Sequence, residues 1–104
     1  MNALYIDTRN NKRIIVRLDK NGEAFEEESK ANKLKAQMTL PLIEKVLKRA
    51  KIKTSDIDEI KVERGPGSFT GLRVGIAIAN ALAFSSQVRI NGKELGEIEK
   101  PIYQ

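Results

Sequence analysis

The sequence predicts an α/β (α+β) fold in the order βββαβα, closed by a short C-terminal strand or hairpin. Three observations carry that expectation. Residues 13–19 alternate well enough for a half-buried strand, beside an Asn-Gly pair. Residues 42–50 place their apolar side chains at helical spacing. A glycine-rich turn then joins a short strand to a second, wholly apolar helix. The 104 residues suit one domain of ordinary size, and with aromatics at 5% its core must be built from Ile, Leu, Val and Ala.

The elements follow in chain order. Ala3–Asp7 is a short apolar strand that ends on a carboxylate, and Thr8–Lys12 is a polar turn. In Arg13–Asp19, Ile14, Val16 and Leu18 share one face, the mark of a half-buried strand. Asn21 and Gly22 both tolerate positive φ, which suits a tight hairpin into a returning strand over Glu23–Ser29. Leu42, Ile43, Val46, Leu47 and Ala50 then mark the inner face of a helix, opposite Glu44, Lys45, Lys48 and Arg49. Two starts fit Pro41. Thr39 caps the helix with Pro41 in the first turn, or a longer helix runs from about Lys33 and kinks at the proline. Thr54–Asp56 is a turn, Glu59–Glu63 a strand, Gly65–Thr70 a loop and Gly71–Ser86 a helix. In the tail, Asn91 and Gly92 suggest a hairpin between Val88–Ile90 and Lys93–Leu95. A meander followed by a helix, a strand and a helix is how ribonuclease-H-like and actin-like (ASKHA) half-domains begin.

Composition excludes several chemistries. There is no cysteine and no histidine, so no disulfide, no thiolate or imidazole metal site and no Ser-His or Cys-His nucleophilic pair can form. Any catalysis would rest on carboxylates, lysines or hydroxyls, and no metal or cofactor is expected. The start of the chain is too short and too soon acidic for a signal peptide, and no apolar run reaches the roughly 20 residues that span a bilayer. A soluble, cytoplasmic protein is expected. The net charge of +5 permits a polyanionic neighbour. Between Lys30 and Lys53 there are eight basic residues and one acid, Glu44, a solvated helix face or a contact for RNA or an acidic partner.

The segment from Gly65 to Arg73 carries most of the information. Gly65, Pro66, Gly67, Ser68, Phe69, Thr70, Gly71, Leu72 and Arg73 hold three glycines between a strand and a helix. The backbone can turn sharply there, and a helix start favours an anion. Yet the nucleotide fingerprints fail: Gly71 is followed by Leu72 rather than Lys-Ser/Thr, and it stands one residue late for a dinucleotide pattern. A tight strand-to-helix turn capped by Thr70 is the structural alternative. From Val74 to Ser86 no residue is charged. A helix apolar on every side must be covered on every side, by a second chain or by the tail. Asp7 ends the first strand, where actin-like phosphotransferases hold a metal–nucleotide complex, but it has Arg9 as its neighbour and no second carboxylate is identifiable.

Residues Gly65–Gly75 closely resemble the signature of the TsaB (YeaZ) family, accessory subunits of the bacterial tRNA threonylcarbamoyladenosine synthesis complex. Leu4–Thr8 resembles that family's opening strand, Leu40–Ile43 its first helix and Ile57–Ile60 the turn and strand before the signature, so the resemblance covers roughly residues 1–86. It implies one lobe of a two-lobed actin-like fold, spanning 1–104 with the second lobe absent. Lys100–Tyr103 is similar to the way family members often end, which admits an internal deletion. It implies a degenerate, non-catalytic relative of the transferase TsaD that docks on a TsaD-like subunit, with a TsaE-like ATPase as a further partner. A homodimer is expected alone, and tRNA is met only through the complex. The helices expected at that interface contain Leu42, Ile43, Val46, Gly75, Ile76, Ala79 and Ala83.

Two rival readings come from other classes. One is a stand-alone actin-like nucleotide-binding or hydrolytic domain, disfavoured by the missing His, Cys and phosphate-loop lysine. The other is a small basic tRNA-binding module, for which Tyr5, Phe25, Phe69, Phe84 and Tyr103 are few and scattered as stacking platforms.

Overall fold

A computed structural model describes residues 1–10, 12–30 and 35–102 of the chain. Strands β1 (Asn2–Asp7), β2 (Arg13–Lys20), β3 (Glu23–Lys30), β4 (Glu59–Val62) and β5 (Arg89–Ile90) form one mixed sheet in the order β3-β2-β1-β4-β5. The first two pairings are antiparallel, and β4 runs parallel to both β1 and β5. The meander predicted from alternation is present. Asn21 and Gly22, with φ of 50° and 89°, form its two-residue turn between the paired Lys20 and Glu23.

Side chains of period two sort the sheet into faces. Leu4, Ile6, Ile14, Val16, Leu18, Ile60 and Val62 all point to one side and are buried. Two helices cover that side, α1 (Lys35–Ala50) and α2 (Phe69–Ser86). Helix α1 contributes Leu42, Ile43, Val46, Leu47 and Ala50, the face read from its spacing. The helix runs through Pro41, so the longer of the two starts is the one formed. Thr39 is buried about one turn inside it rather than standing as its cap. A single turn of 3-10 helix at Thr54–Asp56 leads into β4.

Two expectations are corrected. Helix α2 begins at Phe69, not Gly71, and its cap is Ser68, not Thr70: the Ser68 Oγ accepts the Gly71 N–H at 3.3 Å. The tail does not return as a hairpin strand. Asn91 turns at φ 51°, but its side chain is already committed to β4. Its Oδ1 accepts the Val62 N–H at 2.9 Å and its Nδ2 donates to the Val62 carbonyl at 3.1 Å, while its backbone N–H reaches the Ile60 carbonyl. The side-chain amide thus extends the β4–β5 ladder by one step, and the chain leaves the sheet. Tyr103, part of the expected family-like ending, lies outside the described residues.

At 18 residues, α2 is long and apolar enough to cross a membrane by length and composition alone, contrary to the expectation from run length. Here its inner face, Leu72, Gly75, Ile76, Ala79 and Ala83, packs on the sheet and on α1.

Candidate functional site

The glycine loop is held between the ends of β1 and β4 and the start of α2. Each of three glycines faces chain rather than open space. A Cβ on Gly67 would lie 2.8 Å from the Arg9 Cβ and 2.9 Å from the Arg9 carbonyl, to which the Ser68 N–H donates. A Cβ on Gly75 would lie 2.2 Å from the Thr8 Oγ1, which is buried and donates to the Gly71 carbonyl at 2.6 Å. Gly65 combines a φ of 117° with a Cβ position only 2.4 Å from the Ile102 carbonyl. The helix start, expected to attract an anion, has its amides engaged at Ser68, Gly71 and Leu72. The signature loop is therefore a packed corner in which the missing side chains let three segments meet.

Beside it lies a polar cluster on the uncovered sheet face. Arg9 donates to both Asp7 carboxylate oxygens, through Nε at 3.1 Å and Nη2 at 3.0 Å, and lies 3.7 Å from Glu63. The Tyr5 hydroxyl donates to Glu63 at 2.8 Å. Burial alone would push the Asp7 carboxyl up, but the hydrogen bonds and charge of Arg9 hold it below the usual carboxylate range. Burial and the neighbouring carboxylates push the Tyr5 phenol well above its usual value. At the end of β1, where a metal–nucleotide complex was considered, the Asp7 charge is met by a guanidinium. Among the described residues no three His, Cys, Asp or Glu side chains converge on a possible metal position. The cleft between this cluster and Pro66 and Gly67 is small, about 260 Å³.

The seven residues named for the helices of a partner interface all lie on the inward faces of those helices. Leu42, Ile43, Val46, Gly75, Ile76, Ala79 and Ala83 are buried in the domain's own core, so none of them is available to a second chain. The same two helices expose a different set. Leu40, Val74, Ala77 and Ile78, with Thr70 and Arg73, line an open apolar trough between α1 and α2. Phe84, 83% exposed, continues the outward side of α2. Neither arc of α2 carries a charge after Arg73. The one local clue was Gly75, a small residue where a strand end comes close, which marks the inward side.

The basic stretch is partly neutralised within the chain. Lys45 and Arg49 both pair with Glu27 on β3, and Lys20 Nζ donates to the Ala50 carbonyl at the end of α1. Lys48, Lys51 and Lys53 are exposed to solvent.

Comparison with known proteins adds the following. A family model described as TsaD, tRNA N6-adenosine threonylcarbamoyltransferase, matches residues 4–92. A Buchnera aphidicola protein named tRNA threonylcarbamoyladenosine biosynthesis protein TsaB is 45% identical over 53 residues, 51% of this chain and 25% of the relative. The Bacillus subtilis protein of the same name is 28% identical over 114 aligned residues, which take in 99% of this chain and 50% of the relative. The solved structure of YeaZ from Pseudomonas aeruginosa superposes with a TM-score of 0.82 at 34% identity, over 86% of this chain and 41% of that one. The chain spans about a quarter to a half of the length of the TsaB-named relatives it matches.

Proposed function

Because the chain belongs to the TsaD family of tRNA threonylcarbamoyladenosine proteins, on its TsaB (YeaZ) side, we propose that it is a non-catalytic partner subunit in that tRNA modification. It docks on a TsaD-like transferase through the outward faces of α1 and α2. One observation carries the reading: Leu40, Val74, Ala77, Ile78 and Phe84 form an apolar surface, edged by Arg73, on the outward faces of the two helices. The state of the loop supports it. Its glycines face other parts of the chain and the Ser68 and Gly71 amides have partners within it, which makes the corner a packed turn more than a phosphate cradle.

One lobe is enough for this role, since both helices and the signature loop lie within residues 1–104. The setting is cytoplasmic, and tRNA is met through the complex. Without its partner the chain covers the same face by pairing with a second copy, as a self-complementary patch can. A TsaE-like ATPase joins through the assembled pair rather than through this chain alone. Size-exclusion chromatography with light scattering tests the reading, on the chain alone and then mixed with the TsaD-like subunit of the same source. Conversion of a homodimer to a one-to-one heterodimer supports it. A stable monomer that ignores the TsaD-like subunit refutes it, and calorimetric titration with ATP and magnesium would then be the next measurement.

A further inference from the structure

After Gly92 the chain turns back, crosses the flank of α2 and at Ile102 reaches the signature loop. Residues 93–102 have almost no regular structure, yet their course is fixed by one buried carboxylate. Glu99 is 3% exposed, although charged side chains are rarely buried unless paired. It accepts from Asn91 Nδ2 at 2.7 Å and from its neighbour's backbone, Lys100 N–H, at 3.0 Å, and it forms an ion pair with Arg64 Nε at 3.2 Å, with Lys93 Nζ 3.9 Å away. Its backbone is held as well. Asn80 of α2 donates to the Glu99 carbonyl at 3.0 Å and accepts the Glu99 N–H at 2.8 Å.

Three residues further on, the Ile102 N–H donates to the Arg64 carbonyl at 2.6 Å, and the Ile102 carbonyl fills the space in front of Gly65. Arg64, which opens the signature loop, is thus gripped by the tail at both its guanidinium and its carbonyl. One carboxylate ties together the exits of β4 and β5, and its backbone ties in α2. The loop side of the same corner is closed by the Ser68 N–H on Arg9 and the Leu72 N–H on Ser68.

We propose that residues 93–102 are a latch on the signature loop, closed by Glu99, and that Glu99 is a positioning residue for that loop although it lies far from it in sequence. With the latch closed, Gly65 and Arg64 have one place to be. With it open, the carbonyl of Arg64 and the space before Gly65 are bare, and the loop has lost the wall it packs against. The latch is a property of the isolated chain and does not depend on the partner reading above.

Amide hydrogen exchange, followed residue by residue in the full chain, tests it. In Glu99→Gln, which keeps the shape and removes the charge, exchange at Ile102 should quicken about tenfold to a hundredfold, the factor for one hydrogen bond to a charged group. Ser68 and Leu72 should quicken with it, while the β1–β2 ladder stays protected. Asn80→Ala removes only the pair of bonds to the Glu99 backbone and should give the same pattern more weakly. It also decides the matter if the glutamine variant does not fold. The pH profile separates a positioning charge from mere packing. Corrected for intrinsic rates, exchange at Ile102 and Ser68 should rise as the parent is acidified through the Glu99 titration, in the field of Arg64 and Lys93, and the glutamine variant should show no such rise. Three results overturn the proposal: Ile102 released while Ser68 and Leu72 keep their protection, Ile102 unchanged in both variants, or the β1–β2 amides loosened as much as Ile102.

Discussion

The two faces of α2 make opposite predictions for the same chemical change, and Ala77 and Ala79 are the positions to compare. Ala79 is 0% exposed and packs in the core. A glutamate there must desolvate its carboxyl and force its volume between the sheet and α1. Overpacking costs about 1–3 kcal/mol and an unpaired buried polar group about as much again. The sum, about 2–6 kcal/mol, is a large part of the roughly 5–15 kcal/mol that holds such a domain together. Ala79→Glu therefore reports on folding and says nothing of docking. Ala77 lies on the exposed arc, beside Leu40 and Val74. Glutamate is a good helix former, so Ala77→Glu should change stability by no more than about 0.5 kcal/mol. In a docked complex, however, the new carboxylate would be buried without a partner. A penalty of about 3–5 kcal/mol corresponds to a loss of affinity of about a hundredfold to a few thousandfold. Thermal melting by circular dichroism and calorimetric titration with the TsaD-like subunit measure the two quantities separately. An Ala77→Glu chain that melts like the parent and binds that subunit with affinity within about threefold of the parent would refute the placement of the interface.

Three further outcomes follow from the corner around the loop. Gly75→Ala places a methyl 2.2 Å from the Thr8 Oγ1 and should cost about 2–4 kcal/mol, lowering the melting temperature by about 10–25 °C. Thr8→Ala in the same chain should recover part of that loss, and strict additivity of the two changes would show that the clash is not its cause. Arg9→Ala leaves burial as the dominant influence on Asp7, so its carboxyl, now held low, should titrate upward when followed by NMR. The lowered value contributes stability above the ordinary carboxylate range that is lost as pH falls through it. The variant should therefore lose less stability than the parent on acidification. Asn91→Gly keeps the positive φ and deletes the side-chain ladder to Val62, which should cost about 2 kcal/mol and speed exchange at the Val62 amide in particular.

The sheet was legible wherever a residue pattern has only one physical solution. Ile14, Val16 and Leu18 share one face, with Arg13, Arg17 and Asp19 on the other beside Ile15, and Asn21 and Gly22 both take the positive φ that the turn requires. The inner face of α1 was legible for the same reason, because Glu44, Lys45, Lys48 and Arg49 leave it one side to bury. Helix α2 offers no such contrast. Its buried arc, Ile76, Ala79 and Ala83, and its open arc, Val74, Ala77 and Ile78, are equally apolar, so its rotation is set by the sheet and by the approach of Thr8 to Gly75. The helix start was misread because Thr70 is a competent cap residue by type, whereas the helix is capped two residues earlier by Ser68. The tail was misread because Asn91 and Gly92 make the same turn whether or not a strand follows. Only the demand of Val62 for a partner, a contact 29 residues away in sequence, decides the matter.

The signature glycines show why a pattern of small residues does not by itself name a ligand. A glycine permits close approach, and the sequence is silent on what approaches. At a phosphate loop the vacated space and the free amides point outward together. Here they are filled from within: Arg9 stands before Gly67, Thr8 before Gly75 and Ile102 before Gly65. The residues that fill them come from the segment just after the first strand and from the tail, which are far apart in the sequence. A loop built this way gains rigidity from distant segments and in turn fixes where α2 begins. Its consequence is therefore felt along the helix, in the direction Ala77 and Phe84 face, more than at the loop itself.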